Sequence, residues 1–321
     1  MLESHGAHGT YLCAAGCVAA ITLASCGPDP KTPATPATAS LFFSNVELAP
    51  GRTFPSPLVR GTVNGHETVF IVDTGAQVSV VDAVLAREAA IVVAEGGAAQ
   101  DPSGAAVPMQ KTAAPNFVID GLGPLPNRPT AVIAIPEILT KLGIGAILSP
   151  QMIATDGHQI VIDFARRELR IDDAAAASKI SERVFDLGPI RVCRYDDKGF
   201  GAASLIARAV IDGVPTAVEI DTGASNTFVV ADSNIGKKLA ERTDGDRKKS
   251  VTAAGELETA RFESVAATLG EFSVTGPLMT MPGQRSSACG YEGRVGIDRL
   301  RTCTLVIAER EARGTCTKPG E

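Results

Sequence analysis

Apolar and polar positions follow one pattern twice along this chain. Residues 60–75, RGTVNGHETVFIVDTG, place apolar stretches on both sides of Asn64-Gly65 and end at Asp73. Residues 209–223, AVIDGVPTAVEIDTG, repeat this around Asp212-Gly213 and end at Asp221. In each copy the turn glycine lies eight residues before the aspartate. Asn-Gly and Asp-Gly between apolar runs predict a two-residue hairpin turn, because both central residues need positive φ. Each unit therefore reads strand, tight turn, strand, Asp-Thr-Gly. The correspondence continues downstream. GAILSPQMI places Ser149 76 residues after Asp73, and EGRVGIDRL places Gly296 75 residues after Asp221. A further apolar strand follows in each copy, QIVIDF at 159–164 and TLVIAE at 304–309. Between the units, residues 172–188 read as a short helix and connector, with Asp172 or Asp173 as N-cap. The charged run ERTDGDRKK, 241–249, reads as a solvated loop.

Composition fits such a chain. Its 321 residues are 45% hydrophobic and 21% charged, enough for two core-bearing domains. With no Trp and only 4% aromatics, the core must be packed from Val, Ile, Leu and Ala, which suits many short strands. The net charge of −6 and the lack of a Lys/Arg block exclude a nucleic-acid partner. His66 and His158 stand at no metal-ligand spacing, and no metal or cofactor is expected.

The N-terminus reads as an address and not as fold. Residues 11–25, YLCAAGCVAAITLAS, are apolar but too short to span a bilayer. The LASC sequence at 23–26 resembles the lipobox of bacterial lipoproteins, which implies a signal peptide over 1–25 and a lipidated Cys26. The chain is then expected at the cell envelope, anchored to a membrane through Cys26, with the Pro/Thr/Ala-rich residues 26–44 as a tether. Of the remaining cysteines, Cys193, Cys289, Cys303 and Cys316 fall in the second half in no CxxC spacing. An oxidising compartment favours two disulfides among them, and four cysteines allow three pairings. Cys303 and Cys316 flank a strand and a polar turn leading back, which favours a bond between them and leaves Cys193 with Cys289.

The two apolar-apolar-Asp-Thr-Gly-Ala strand ends, each with a later apolar-apolar-Gly element, resemble the pepsin-like and retropepsin-like aspartic peptidases over about residues 45–310. The resemblance implies an all-β, bilobal fold, with lobes at 45–173 and 189–318 joined by a connector at 174–188. It further implies that Asp73 and Asp221 form a catalytic dyad holding one water. Thr74 and Thr222 would brace the two loops across the lobes, while Gly75 and Gly223 would let the backbone approach the carboxylates. The implied partner is an extended peptide or protein substrate in the interlobe cleft of a monomer. Two close carboxylates cannot both ionise cheaply, so they share a proton and act as base and acid without a metal.

Several positions depart from the family pattern. Ser149 stands where glycine is expected after Ile147-Leu148, and Arg294 stands where an apolar residue is expected before Val295-Gly296. Residues 94–110 have the Gly content of a flap hairpin but no tyrosine. Ala76 and Ala224 follow the two Asp-Thr-Gly triplets where many pepsin-like enzymes carry a hydroxyl. Without that donor, the dyad is expected to hold its proton to higher pH, with activity at mildly acidic to near-neutral pH. The alternatives are an inactive aspartic-protease-like lipoprotein that binds peptides or envelope partners, and a homodimer that pairs like aspartates.

Overall fold

The computed structural model describes residues 37–49, 52–100, 106–112, 115–154, 157–173, 184–196, 201–252, 255–282 and 288–317. Residues 1–25, expected as a signal peptide, Cys26, most of the expected tether and residues 174–183 of the expected connector lie outside the described residues.

Both tight turns form as their dipeptides dictate. Asn64 and Gly65 adopt φ of 49° and 83°, and Asp212 and Gly213 adopt 48° and 80°. This left-handed pair matches the right-handed twist of flanking strands. The turns close hairpins of Leu58–Val63 with His66–Val72 and of Ala202–Ile211 with Val214–Ile220.

Beyond each aspartate the two halves build the same motif. Ile144–Leu148 lies parallel to His66–Val72 and antiparallel to Val80–Asp82. Gly293–Val295 is likewise parallel to Val214–Ile220 and antiparallel to Phe228–Val230. Each aspartate thus leaves the C-terminal end of a strand held on a parallel neighbour. Helix Ala83–Glu88 follows in the first half, with the Asp82 carboxylate accepting from the Val84 and Leu85 amides. Helix Asn234–Ala240 follows in the second, capped by Ser233. An antiparallel hairpin comes next in both: Ala94–Gln100 with Ala106–Thr112, and Asp246–Thr252 with Gly255–Leu269. The first hairpin is the expected flap, with residues 101–105 outside the described ones. The second takes up the end of the charged run 241–249, correcting its assignment as a loop: pairing with Gly255–Leu269 supplies the backbone partners that a local reading cannot see.

Among the described residues, nine strands between Leu58 and Leu148 form one sheet and fourteen form a second, while Glu47–Ala49 and Arg52–Thr53 pair as a small third. The fold is all-β and bilobal, but the sheets do not divide where chain order suggests. His158–Asp163 and Glu168–Asp173, expected to close the first lobe, belong to the second sheet, because His158–Asp163 pairs with Cys303–Ile307. These are the corresponding apolar strands of the two repeats, lying antiparallel to each other. The tether also ends early: Thr38–Ser40 pairs with Glu168–Asp173, and Ala39 and Leu41 are buried. That small apolar pair is enough to recruit a strand from a Pro-rich segment. A single hydrophobic core runs through both halves, from Phe70, Val72 and Leu148 to Leu205, Ile220 and Val295.

Candidate functional site

The two Asp-Thr-Gly loops meet at the join of the halves. Each aspartate is fixed first through its backbone: the Asp73 N–H donates to Leu148 O at 2.9 Å, and the Asp221 N–H to Val295 O at 3.0 Å. The threonines then lock the loops reciprocally. The Thr74 N–H donates to Thr222 Oγ1 at 3.0 Å and the Thr222 N–H to Thr74 Oγ1 at 3.1 Å. Each hydroxyl donates in turn across the join, Thr74 to Ile220 O and Thr222 to Val72 O, both at 2.6 Å. Both threonines are fully buried, so losing either hydroxyl strands a backbone N–H and a C=O out of water, at about 1–3 kcal/mol each.

The carboxyl groups face each other between these loops. Asp73 Oδ1 accepts from Gly75 N at 2.8 Å, Ala76 N at 3.2 Å and, from the other half, Gly223 N at 3.2 Å. Asp221 Oδ1 accepts from Ala224 N at 2.9 Å. Each carboxyl lies against the other half's glycine, and the two interact as neighbouring charges. Glycine is required on both sides: a Cβ on Gly75 would overlap the Asp221 carboxyl, and one on Gly223 the Asp73 carboxyl. Desolvation pushes the Asp73 carboxyl well above the ordinary carboxylate range, and the neighbouring Asp221 charge pushes the same way. The Gly75 N–H and the Arg294 guanidinium pull against them. Such a pair is suited to holding one proton and one negative charge together.

The departures in sequence have structural answers. Ser149 adopts φ −93° and ψ 101°, open to any residue, and its N–H donates to Ser79 Oγ at 3.1 Å. At the matching place the Gly296 N–H donates to Thr227 Oγ1 at 3.1 Å. A Cβ at 296 would collide with the Asn226 and Ala224 backbone, so glycine is needed only in the second half. Gln151, not singled out in the sequence, braces the first loop: buried beneath it, its Nε2 shares its two hydrogens among Thr74 O at 3.0 Å, Ala76 O at 2.9 Å and Ala203 O at 3.0 Å. Its only sequence signal was a polar residue inside the apolar stretch ILSPQMI.

Arg294 does not leave a gap in the loop's backing. In the first half the register partners beneath the aspartate are Ile71 and Ile147; in the second they are Glu219 and Arg294. Arg294 Nη1 donates to Asp221 Oδ2 at 2.8 Å, Nε lies 2.9 Å from Glu219 Oε2, and Nη2 donates to the Tyr291 hydroxyl at 3.1 Å. The expectation that Asp221 lacks a side-chain donor, because residue 224 is alanine, is corrected here: the donor arrives from residue 294 instead. Burial pushes the Glu219 carboxyl up to about 7 against the opposing pull of Arg294. Burial alone would lower the Arg294 guanidinium, but Glu219 and Asp221 hold it well above its usual value.

Both disulfides expected from the sequence are present, Cys193–Cys289 and Cys303–Cys316. The second joins register partners on adjacent strands; the first pins the segment leading to Tyr291 and Arg294.

Comparison with known proteins agrees with this geometry. No curated protein matches the chain. The family described as aspartyl protease matches it twice, over residues 59–145 and 207–290, together just over half of the chain. Each match takes in one Asp-Thr-Gly loop, and the chain belongs to the aspartyl protease family.

Proposed function

We propose that the protein is an aspartic endopeptidase in which Asp73 and Asp221 activate a water against a peptide bond. What carries this reading is the mutual placement of the two carboxyls, each against the other half's glycine and held by the Thr74–Thr222 exchange. The ionised carboxylate takes a proton as the water oxygen bonds to the peptide carbonyl carbon, while the protonated carboxyl gives its proton to the carbonyl oxygen. The tetrahedral diol then collapses. The C–N bond breaks as the nitrogen takes the proton held by the first carboxyl, and a diol hydroxyl returns its proton to the second. The substrate is an extended peptide running beneath the hairpin of Ala94–Gln100 and Ala106–Thr112.

The test is a peptide-library digest with wild type and Asp73→Asn side by side. Cleavage that is lost in the variant, blocked by a statine-type transition-state mimic and indifferent to chelators is the expected outcome. Peptide binding without cleavage would favour the non-catalytic cleft binder instead. The envelope location is part of the same proposal and rests on the LASC sequence at 23–26. Labelled palmitate should enter the wild type and fail to enter Cys26→Ala; equal incorporation would refute the anchor.

A further inference from the structure

We propose that Arg294 is a positioning residue that makes the dyad unequal: anchored on Glu219, its guanidinium holds the negative charge on Asp221 and leaves Asp73 to carry the proton. The assignment rests on the peptidase reading above for its catalytic meaning, but its geometry stands separately.

The first observation is a paired exchange between the repeats. Ile71 and Ile147 are register partners on parallel strands, and the equivalent partners are Glu219 and Arg294. One apolar contact has become one arginine–glutamate contact, Nε to Oε2 at 2.9 Å. The second observation is that all three guanidinium nitrogens are engaged: Nε with Glu219, Nη2 with Tyr291 and Nη1 with Asp221. The Phe228 and Tyr291 rings lie 5.8 and 5.7 Å from the guanidinium carbon. A planar fork fixed at two ends and flanked by rings has little freedom, so the third contact is pre-set. The third observation concerns the other carboxyl. Asp73 Oδ1 takes its bonds from three neutral backbone N–H groups, which favour its charged form, but the direct guanidinium contact goes to Asp221, and the parallel neighbour of the Asp73 strand is apolar.

Three carboxyls, Asp73, Asp221 and Glu219, thus stand around one guanidinium, with the Tyr291 phenol as the other titratable neighbour. Ionising all three in a buried site would leave two uncompensated charges, so protons must be kept. Burial favours keeping them on Asp73 and Glu219, whose carboxyls are both pushed upward. Asp221, touching the guanidinium, is where the remaining charge is best compensated. Asp221 is then the base that takes the water proton, and Asp73 the acid that donates to the carbonyl oxygen.

The experiment is the pH profile of kcat/KM for the full chain, on a peptide found in the library digest, in wild type, Arg294→Lys and the pair Arg294→Leu with Glu219→Gln. The pair removes the guanidinium together with its Glu219 partner, so no carboxyl at 219 is left facing an apolar side chain and Asp221 alone loses its cation. An opposite charge in contact lowers an acid's apparent pKa by about 1–3 units. Losing it should raise the acidic limb by about one pH unit or more, while Arg294→Lys should hold the limb near the wild-type position. A uniform fall in kcat/KM with no movement of the limb would overturn the proposal. A second readout needs no turnover: carbon-13 carboxyl titration of aspartate-labelled protein, assigned with Asp73→Asn and Asp221→Asn. Asp221 ionising before Asp73 supports the assignment even if no peptide is cut; Asp73 ionising first overturns it even if cleavage is robust.

Discussion

At the scale of single residues, the site depends on groups too small or too buried to replace. Gly223→Ala would drive a methyl into the Asp73 carboxyl and Gly75→Ala into that of Asp221. Moving a reacting group by about 1 Å costs on the order of 100-fold in rate, so kcat/KM should fall at least that far in either variant while the fold persists. Circular dichroism beside the rate measurement separates the two effects. Glu219 offers a test in stability. Its folded carboxyl titrates at about 7 against an ordinary 4.5, so between those values the unfolded chain has lost a proton that the folded chain keeps. Stability must therefore fall as pH rises through that window, by about 3 kcal/mol, and level off above it. Asp73 contributes with the same sign. Urea midpoints at pH 4.5 and 7.5 should differ less in Glu219→Gln than in wild type; an unchanged difference would contradict the burial argument.

Elements explain what the sequence made legible. Asn64-Gly65 and Asp212-Gly213 announced their hairpins because the signal is local: two residues that tolerate positive φ between apolar runs. The aspartates were legible for a different reason, since two copies of one spacing point to one shared job. Arg294 was legible only as a departure, and Glu219 not at all. Residue 294 sits 73 positions from Asp221, and nothing local says that the register of parallel strands brings it onto Glu219. Gln151 was hidden likewise, its three backbone neighbours lying 52 to 77 residues away in the chain. The disulfides also act at this scale. Cys193–Cys289 spans a sequence separation of 96 and Cys303–Cys316 one of 13. In the chain-entropy account these are worth about 5 and about 3 kcal/mol. Replacing Cys193 and Cys289 by serine should lower the unfolding free energy more than replacing Cys303 and Cys316, as read from denaturant curves. The reverse order would show that strand pairing, and not loop closure, sets their contributions.

For the whole molecule, the two halves are joined by more than a connector. His158–Asp163 crosses from the first repeat to pair with Cys303–Ile307, and the threonine exchange and a continuous core tie the halves beside it. This join was beyond the sequence, because pairing between residues about 140 apart leaves no periodic trace. A protease site inserted between residues 173 and 184 and then cut should leave two fragments that co-elute in native gel filtration. Fragments that separate without denaturant would show that the connector, and not the shared sheet, holds the halves together.

The central claim, that Asp73 and Asp221 work as one device, is tested most directly by a double-mutant cycle on kcat/KM with Asp73→Asn, Asp221→Asn and the two combined. Groups that act as a unit are strongly non-additive, because losing one already disables the other. Each single variant should therefore lose essentially all turnover, and the double variant should be little worse than either. Additive losses, or one single variant cleaving at close to the wild-type rate, would contradict a shared dyad.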